Sequence, residues 1–240
     1  MIKALMGKLA SWLGVTRDTL SLAAALKRCK ARGMQVGTII DVGASNGCWS
    51  LEARKFFPGA FFLLIEAQDA HRYALERVKN RINRLDYVVA AAGDRPGTCY
   101  FDAEDLFGGL ASSTEVGKHC ISVPMVTVDE EVSRRNLPAP YLLKLDTHGF
   151  EVPILEGAGK TLSAAALVVI ESYNFQLTPD SLKFHEMCAF MAGHGFFCID
   201  LVRPMHRPGD HAFWQMDLFF APSSDAVFSS NSYLPQEGSR

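Results

Sequence analysis

Four acidic residues stand at the ends of apolar runs: Asp41, Glu66, Asp146 and Glu171. In an open α/β sheet, ligands bind beyond the carboxyl ends of the strands. These carboxylates, with the turn Ala90-Ala91-Ala92-Gly93-Asp94, would therefore meet along one rim. Unpaired buried carboxylates are costly, and a cationic or hydroxyl-rich ligand would account for them. The first acid opens "DVGASNG" at 41–47, where Gly43 and Gly47 bracket three small or polar residues. That spacing is G-x-x-x-G, whereas dinucleotide folds use G-x-G-x-x-G, so the ligand need not be a pyrophosphate. His148 follows Asp146 by two positions, and Tyr173 and Asn174 follow Glu171, which adds an imidazole, a phenol and an amide to the same strand ends.

S-adenosylmethionine has the groups such a rim would hold: a sulfonium, an ammonium, a carboxylate and a ribose diol. Gly43 and Gly47, lacking a Cβ, would let the backbone approach its methionine end. Asp41 would sit near the ammonium, and Glu66 would accept hydrogen bonds from the ribose. The interval from Asp41 to Glu66 is close to the roughly 20 residues between glycine turn and ribose-binding acid in dinucleotide folds. Spacing alone leaves both cofactors open.

The elements that must position these residues alternate. Strand patterns fall at 38–42, 60–66, 87–91, 141–146 and 166–171, and helical patterns at 49–57, 70–81, 152–162 and 180–191. Such alternation predicts a mostly parallel sheet with helices on both faces, and the near-continuous apolar strands fit burial on both sides. The last two strand patterns, 196–202 and 213–221, are joined by "RPMHRPGDHA", which has no helical periodicity. A parallel crossover needs a dozen or more residues and usually a helix, so these two strands are expected to be antiparallel neighbours. By fold analogy, a doubly wound sheet closed by such a hairpin is the layout of Rossmann-like methyltransferases. The region 97–130 is less regular: "YFDAEDLFGGLASSTEVG" at 100–117 reads as a long excursion before the strand-like "ISVPMVTVD" at 121–129.

Composition narrows the classes. With 240 residues, 48% hydrophobic and 21% charged, one sizeable domain is expected: a helical segment at 1–35, the main domain at 36–222, and an unstructured tail at 223–240. A net charge of -2 gives no basic footprint for nucleic acid. The six cysteines form no C-x-x-C pair and sit mostly in apolar runs, which suits the cytoplasm. No run is long and apolar enough to span a membrane. Residues 1–14 read as an amphipathic helix that packs on its own domain or a partner, with peripheral membrane contact as the lesser alternative given only two lysines. A second helical pattern, 20–32, ends at Gly33, a C-cap residue.

Several segments in order resemble the FkbM-type methyltransferases: "IIDVGASNGCWS", "FFLLIEAQDAH", "VVAAAGDRPGTCYF", "GLASS", "VPMVTVDEEV", "YLLKLDTHGFEVPILEGAGKTL", "LVVIES" and "WQMDLFF". The K-x-D-x-x-G-x-E run followed by "ILEGA" is the most specific. The resemblance implies a class I, S-adenosylmethionine-dependent transferase that methylates a hydroxyl oxygen of a sugar or secondary metabolite. It would place Asp41, Gly43, Asn46 and Gly47 on the methionine side, Glu66 at the ribose, Ala91 and Ala92 beside adenine, and Asp146 near the reacting centre. Where the family commonly has an acid, in D-V-E-G, this chain has His148 in "DTHG".

That imidazole, with an ordinary pKa of about 6.5, could serve as a base for a poorly nucleophilic hydroxyl, or be held structurally by Glu151 or by backbone. Glu171, Tyr173 and Asn174 are the further candidates for gripping the acceptor, or close a loop. Asp146, His148 and Glu171 could together bind a divalent ion, a reading not favoured here because their spacing is loose. Lys144 shares a strand face with Asp146 and could pair with it. Asp217 lies within an apolar strand. Two rival functions stay open: a nicotinamide-dependent oxidoreductase, although Ser45 and Cys48 replace its second and third glycines, and a catalytically silent binding module.

Overall fold

A computed structural model describes residues 17–115 and 117–233, so the amphipathic segment predicted at 1–14 lies outside the described residues. Helix α1 (Leu22–Ala31) starts where Ser21 Oγ accepts the Ala24 N–H at 3.2 Å. Gly33 then turns the chain with a φ of 81°, the left-handed geometry a C-cap glycine supplies. The chain continues through β1 (Thr38–Val42), α2 (Cys48–Ala53), β2 (Phe61–Glu66), α3 (Arg72–Lys79) and β3 (Leu85–Val89). A second group follows: β4 (Ala91–Ala92), β5 (Gly97–Asp102), β6 (Leu110–Ser112), β7 (Cys120–Val126) and α4 (Val128–Arg134). The remainder is β8 (Tyr141–Leu145), α5 (Glu151–Glu156), α6 (Gly159–Ser163), β9 (Ala165–Tyr173), α7 (Phe184–Gly193), β10 (Phe196–His206) and β11 (Phe213–Pro222).

The main sheet runs β10-β11-β9-β8-β1-β2-β3. Strands β3, β2, β1, β8 and β9 are parallel, and β11 pairs antiparallel with both β9 and β10, as the short connector requires. Because the chain winds outward from β1 through β2 and β3 and then returns to β8 on the other side, the winding reverses between β1 and β8. Beyond the carboxyl ends of these two strands is where such a sheet opens a crevice.

Successive side chains of a strand face opposite ways, and here both faces are covered. Ile39, Phe62, Leu64 and Leu142 pack with Leu26, Trp49 and Leu75 on one side, while Ile40, Leu63, Leu143 and Val168 pack with Ile154, Leu155 and Met187 on the other. This is why the central strands read as unbroken apolar runs.

The excursion expected at 100–117 is more regular than its sequence suggested. The strand-like 121–129 supplies β7, and the expected excursion carries β6 and the end of β5, so the region forms most of a four-stranded sheet, β4-β7-β5-β6, with Cys99, Phe101, Val123 and Met125 turned into a small core. The strand predicted at 87–91 ends at Val89, because Ala91 and Ala92 leave the main sheet to pair with Met125 and Val126. The helix predicted at 152–162 divides at Gly157, where a Cβ would lie 2.0 Å from the Gly93 carbonyl oxygen. The helix predicted at 180–191 starts later, at Phe184, because Ser181 Oγ accepts the N–H groups of Leu177 and Thr178 (2.9 and 3.0 Å) and holds a turn. Within the predicted tail, Asp225 caps a 3-10 turn at Ala226–Ser229, while 234–240 lie outside the described residues. No helix among the described residues is long and apolar enough to cross a membrane.

Candidate active site

A cleft of about 250 Å³ opens at the β1–β8 reversal. Its lining begins with the turn after β1: Gly43, Ala44, Ser45 and Asn46. Gly43 has a φ of 69°, and a Cβ there would lie 1.9 Å from the Asp146 carbonyl oxygen, so the turns after β1 and β8 can touch only through a glycine. Gly47 does not line the cleft. It has a φ of 77° and faces Val78 of α3, whose Cγ2 a Cβ would approach to 2.9 Å.

Asp41 is likewise absent from the lining, which corrects the expectation that it meets the ligand. It is wholly buried, accepts the Ser50 hydroxyl at 2.6 Å and faces Lys144 Nζ at 2.9 Å. The physical reason is its place in mid-sheet, paired in register with Leu64 and Lys144. Lys144 donates to the Gly43 carbonyl (2.9 Å) and stands 3.3 Å from Asp146 Oδ2, so it ties β1, its turn and β8 together. Burial would lower this lysine's pKa, but Asp146 and Asp41 outweigh burial and raise it.

Glu66 does reach the cleft. Its Oε2 accepts the Ser45 N–H (2.6 Å) and its Oε1 the Gln68 N–H (2.8 Å). Each carboxylate oxygen keeps a further lone pair for a hydroxyl donor. Ala90, Ala91 and Ala92 line the cleft with small side chains, beside Gln68, His71, Phe101, Leu106 and Phe107. His71 Nε2 lies 2.8 Å from the Leu106 carbonyl, and its ring meets that of Phe107 at 5.6 Å, so the β5–β6 loop is fastened over the Glu66 side.

At the other end stand Asp146, Thr147 and His148. His148, at a φ of 55°, places Nε2 3.4 Å from Asp146 Oδ1 and 3.3 Å from Glu171 Oε2. Burial acts to lower the imidazole pKa, but the two carboxylates outweigh it and push it up to about 10. Burial acts the opposite way on Asp146, yet Lys144 and His148 hold its carboxyl well below the usual range. Glu171 accepts hydrogen bonds from the Tyr173 hydroxyl and from Gln215 Nε2. Burial and the adjacent Glu171 raise the Tyr173 phenol.

Glu171, Tyr173 and Asn174 do not line the cleft, contrary to the expectation that they grip an acceptor directly. Glu171 and Tyr173 back His148, and Asn174 fastens β9 to β11 through the Phe213 and Trp214 carbonyls (3.2 and 2.8 Å). Glu151 is the loop's own clasp: it accepts from the Gly149 N–H (2.9 Å) and from Thr147 Oγ1 (3.1 Å), and not from His148. The terminal hairpin contributes one lining residue, Arg203, held by Asp217 at 2.8 Å.

No curated protein sequence matches the chain. Residues 41–198 match the methyltransferase FkbM domain. The chain belongs to the FkbM methyltransferase family. Its fold is similar to the crystal structure of methyltransferase FkbM from Methylobacillus flagellatus KT, with a TM-score of 0.54 at 16% identity, covering 85% of this chain and 48% of that one. The chain thus spans about half of that protein's length. Precorrin-6y C5,15-methyltransferase from Geobacter metallireducens GS-15 gives a TM-score of 0.43 at 12% identity (82% and 86% covered). Magnesium protoporphyrin IX methyltransferase from Synechocystis PCC 6803, solved with bound SAM, gives 0.46 at 11% (86% and 79%).

The FkbM domain has a Rossmann-like, mostly parallel sheet, and of the residues expected at its site the cleft unites Gly43, Asn46, Glu66, Ala91, Ala92, Asp146 and His148. Trp49, Gln68, His71 and Phe101 were not expected there. Gln68 and His71 stand in "EAQDAH", two and five positions past Glu66, close enough to share a strand-end site. Phe101 has no such sequence signal, since it arrives from the second sheet.

Proposed function

We propose that this chain transfers the methyl group of S-adenosylmethionine to a hydroxyl oxygen of a sugar or natural product. The observation that supports it best is the polarity of the cleft: a carboxylate with free lone pairs, Glu66, at one side, and a carboxylate–imidazole pair, Asp146–His148, at the other. A ribose diol suits the first, and small Ala90–Ala92 suit a flat purine. The cofactor supplies an electrophilic methyl on a sulfonium when bound. A pyrophosphate dianion would instead meet two acids, and that tells against a nicotinamide dinucleotide.

The residues of the chain then hold and exclude. Gly43 to Asn46 offer close backbone approach, and the loop carrying Leu106 and Phe107 shields the Glu66 side from water. Asp146 favours the sulfonium's positive charge and orients an acceptor hydroxyl, and much of the acceleration comes from alignment in a dry pocket. His148 turns its Nε2 toward Asp146 Oδ1 and Glu171 Oε2 (3.4 and 3.3 Å), so it acts with these two carboxylates at the acceptor end of the cleft. All six cysteines are free thiols, in keeping with a cytoplasmic domain at 36–222. The net charge of -2 favours a small-molecule or glycan acceptor over nucleic acid.

Incubation with methyl-tritiated S-adenosylmethionine and a panel of polyhydroxylated glycosides tests the reading, with Asp146→Asn as the control. Label on a hydroxyl, lost in the control, supports it. Label on nitrogen or sulfur acceptors alone overturns the choice of oxygen.

A further inference from the structure

Asp146, His148 and Glu171 each offer one ligand atom, all three lie within 4.8 Å of one another, and they form the one such group among the described residues. The separations are informative. His148 Nε2 stands 3.4 Å from Asp146 Oδ1 and 3.3 Å from Glu171 Oε2. Charge-assisted N–H···O bonds close to about 2.7–2.9 Å, and one nitrogen has not closed on either oxygen. Two ligand atoms each about 2.1 Å from one ion, at angles of about 90–110°, stand roughly 3.0–3.4 Å apart. The two separations here match edges of such a coordination polyhedron.

The surroundings are those of a ligating set. Metal-binding carboxylates are themselves hydrogen-bonded from behind, and Glu171 is held by Tyr173 and Gln215. Lys144 takes the other oxygen of Asp146, at 3.3 Å, which leaves Oδ1 for an ion. The Tyr173 ring meets the imidazole edge-on at 6.1 Å and fixes its plane. Charge points the same way: Asp41, Asp146, Glu171 and Asp217 are four carboxylates, and the lysine and arginine that touch them are Lys144 and Arg203. Asp146 and His148 line the cleft, so an ion held there would be open to the acceptor.

We propose that Asp146 Oδ1, His148 Nε2 and Glu171 Oε2 bind a divalent cation whose open positions take neighbouring oxygens of the acceptor. One imidazole and two carboxylates suit Mn²⁺ or a similar first-row ion better than Ca²⁺. Three protein ligands leave room for two adjacent acceptor oxygens, so the acceptor class is a vicinal diol or a hydroxy-carbonyl compound. The acceptor part rests on the methyl-transfer reading, while the ion site stands on its own geometry.

The test uses the full chain, stripped with EDTA. Mn²⁺ is titrated in and followed by loss of the free-ion electron paramagnetic resonance signal, while S-adenosylhomocysteine binding is measured by calorimetry in parallel. One Mn²⁺ per chain is expected, with affinity falling at least about tenfold in both His148→Ala and Glu171→Gln and less in Tyr173→Phe. Glu171→Gln should still bind S-adenosylhomocysteine, since Glu171 does not line the cleft. A wild-type chain that holds no Mn²⁺, or wild-type affinity retained in both His148→Ala and Glu171→Gln, overturns the proposal. Mn²⁺ binding without S-adenosylhomocysteine binding would uphold the ion site and remove the cofactor reading instead.

Discussion

Gly43 and Asp146 stand so close that a Cβ on the glycine would lie 1.9 Å from the aspartate's carbonyl oxygen. This contact joins the loops after β1 and β8 at the winding reversal and sets the width of the cleft between them. Gly43→Ala should therefore fail twice, through a φ of 69° that costs an L-residue roughly 1–3 kcal/mol and through the clash. A lower Tm together with a loss of S-adenosylhomocysteine binding is expected. Retained affinity at unchanged Tm would show that the two loops are not so coupled.

Glu66 is the residue whose loss should act on ligand more than on fold. Its oxygens accept from Ser45 and Gln68 (2.6 and 2.8 Å), and a ribose would use the lone pairs that remain. Glu66→Gln should weaken S-adenosylhomocysteine by about 1.5–3 kcal/mol, the range for hydrogen bonds to a charged group. Calorimetry on the two proteins reads it directly, and equal affinities would remove Glu66 from the site.

Asp41 should behave in the reverse sense. It is wholly buried and spent on Ser50 and Lys144. Breaking a buried pair by removing one charge costs about 3–5 kcal/mol. Asp41→Asn should accordingly shift the urea midpoint strongly while the folded fraction keeps its cofactor affinity. A variant of normal stability that no longer binds would restore Asp41 to the ligand site.

Asp217 supplies a pH signature. Burial pushes its carboxyl up to about 6 in spite of Arg203, against about 3.9 in an unfolded chain. A raised folded-state pKa means the folded form holds the proton more tightly. The stabilisation is complete below about pH 4 and is lost as pH rises through about 6. The difference in Tm between the wild type and Asp217→Asn should fall across that window, and a flat difference would contradict the assignment.

Much of this was legible in the residues. Near-continuous apolar strands ending in Asp41, Glu66, Asp146 and Glu171 located the sheet and its rim, and the helix-free "RPMHRPGDHA" linker gave the antiparallel hairpin. What the pattern could not say is which way each acid faces. Asp41 and Glu66 read alike as strand-end acids, yet one is sealed against Lys144 and the other opens to the cleft, because cross-strand register decides it. The second sheet was missed because β4 and β6 are two and three residues long. Phe101 reaches the cleft only through that sheet's pairing. The sequence left His148 open between a base and a held residue, because its two carboxylate neighbours come from different strand ends and only one of them, Asp146, is near in sequence.

The central claim is that the cleft between β1 and β8 holds S-adenosylmethionine. Calorimetric titration of the purified chain with S-adenosylhomocysteine, beside an identical titration with NAD, tests it most directly. The account predicts one S-adenosylhomocysteine per chain at micromolar affinity, weakened in Glu66→Gln, and no heat from NAD. Binding of NAD alone, or of neither, would contradict it.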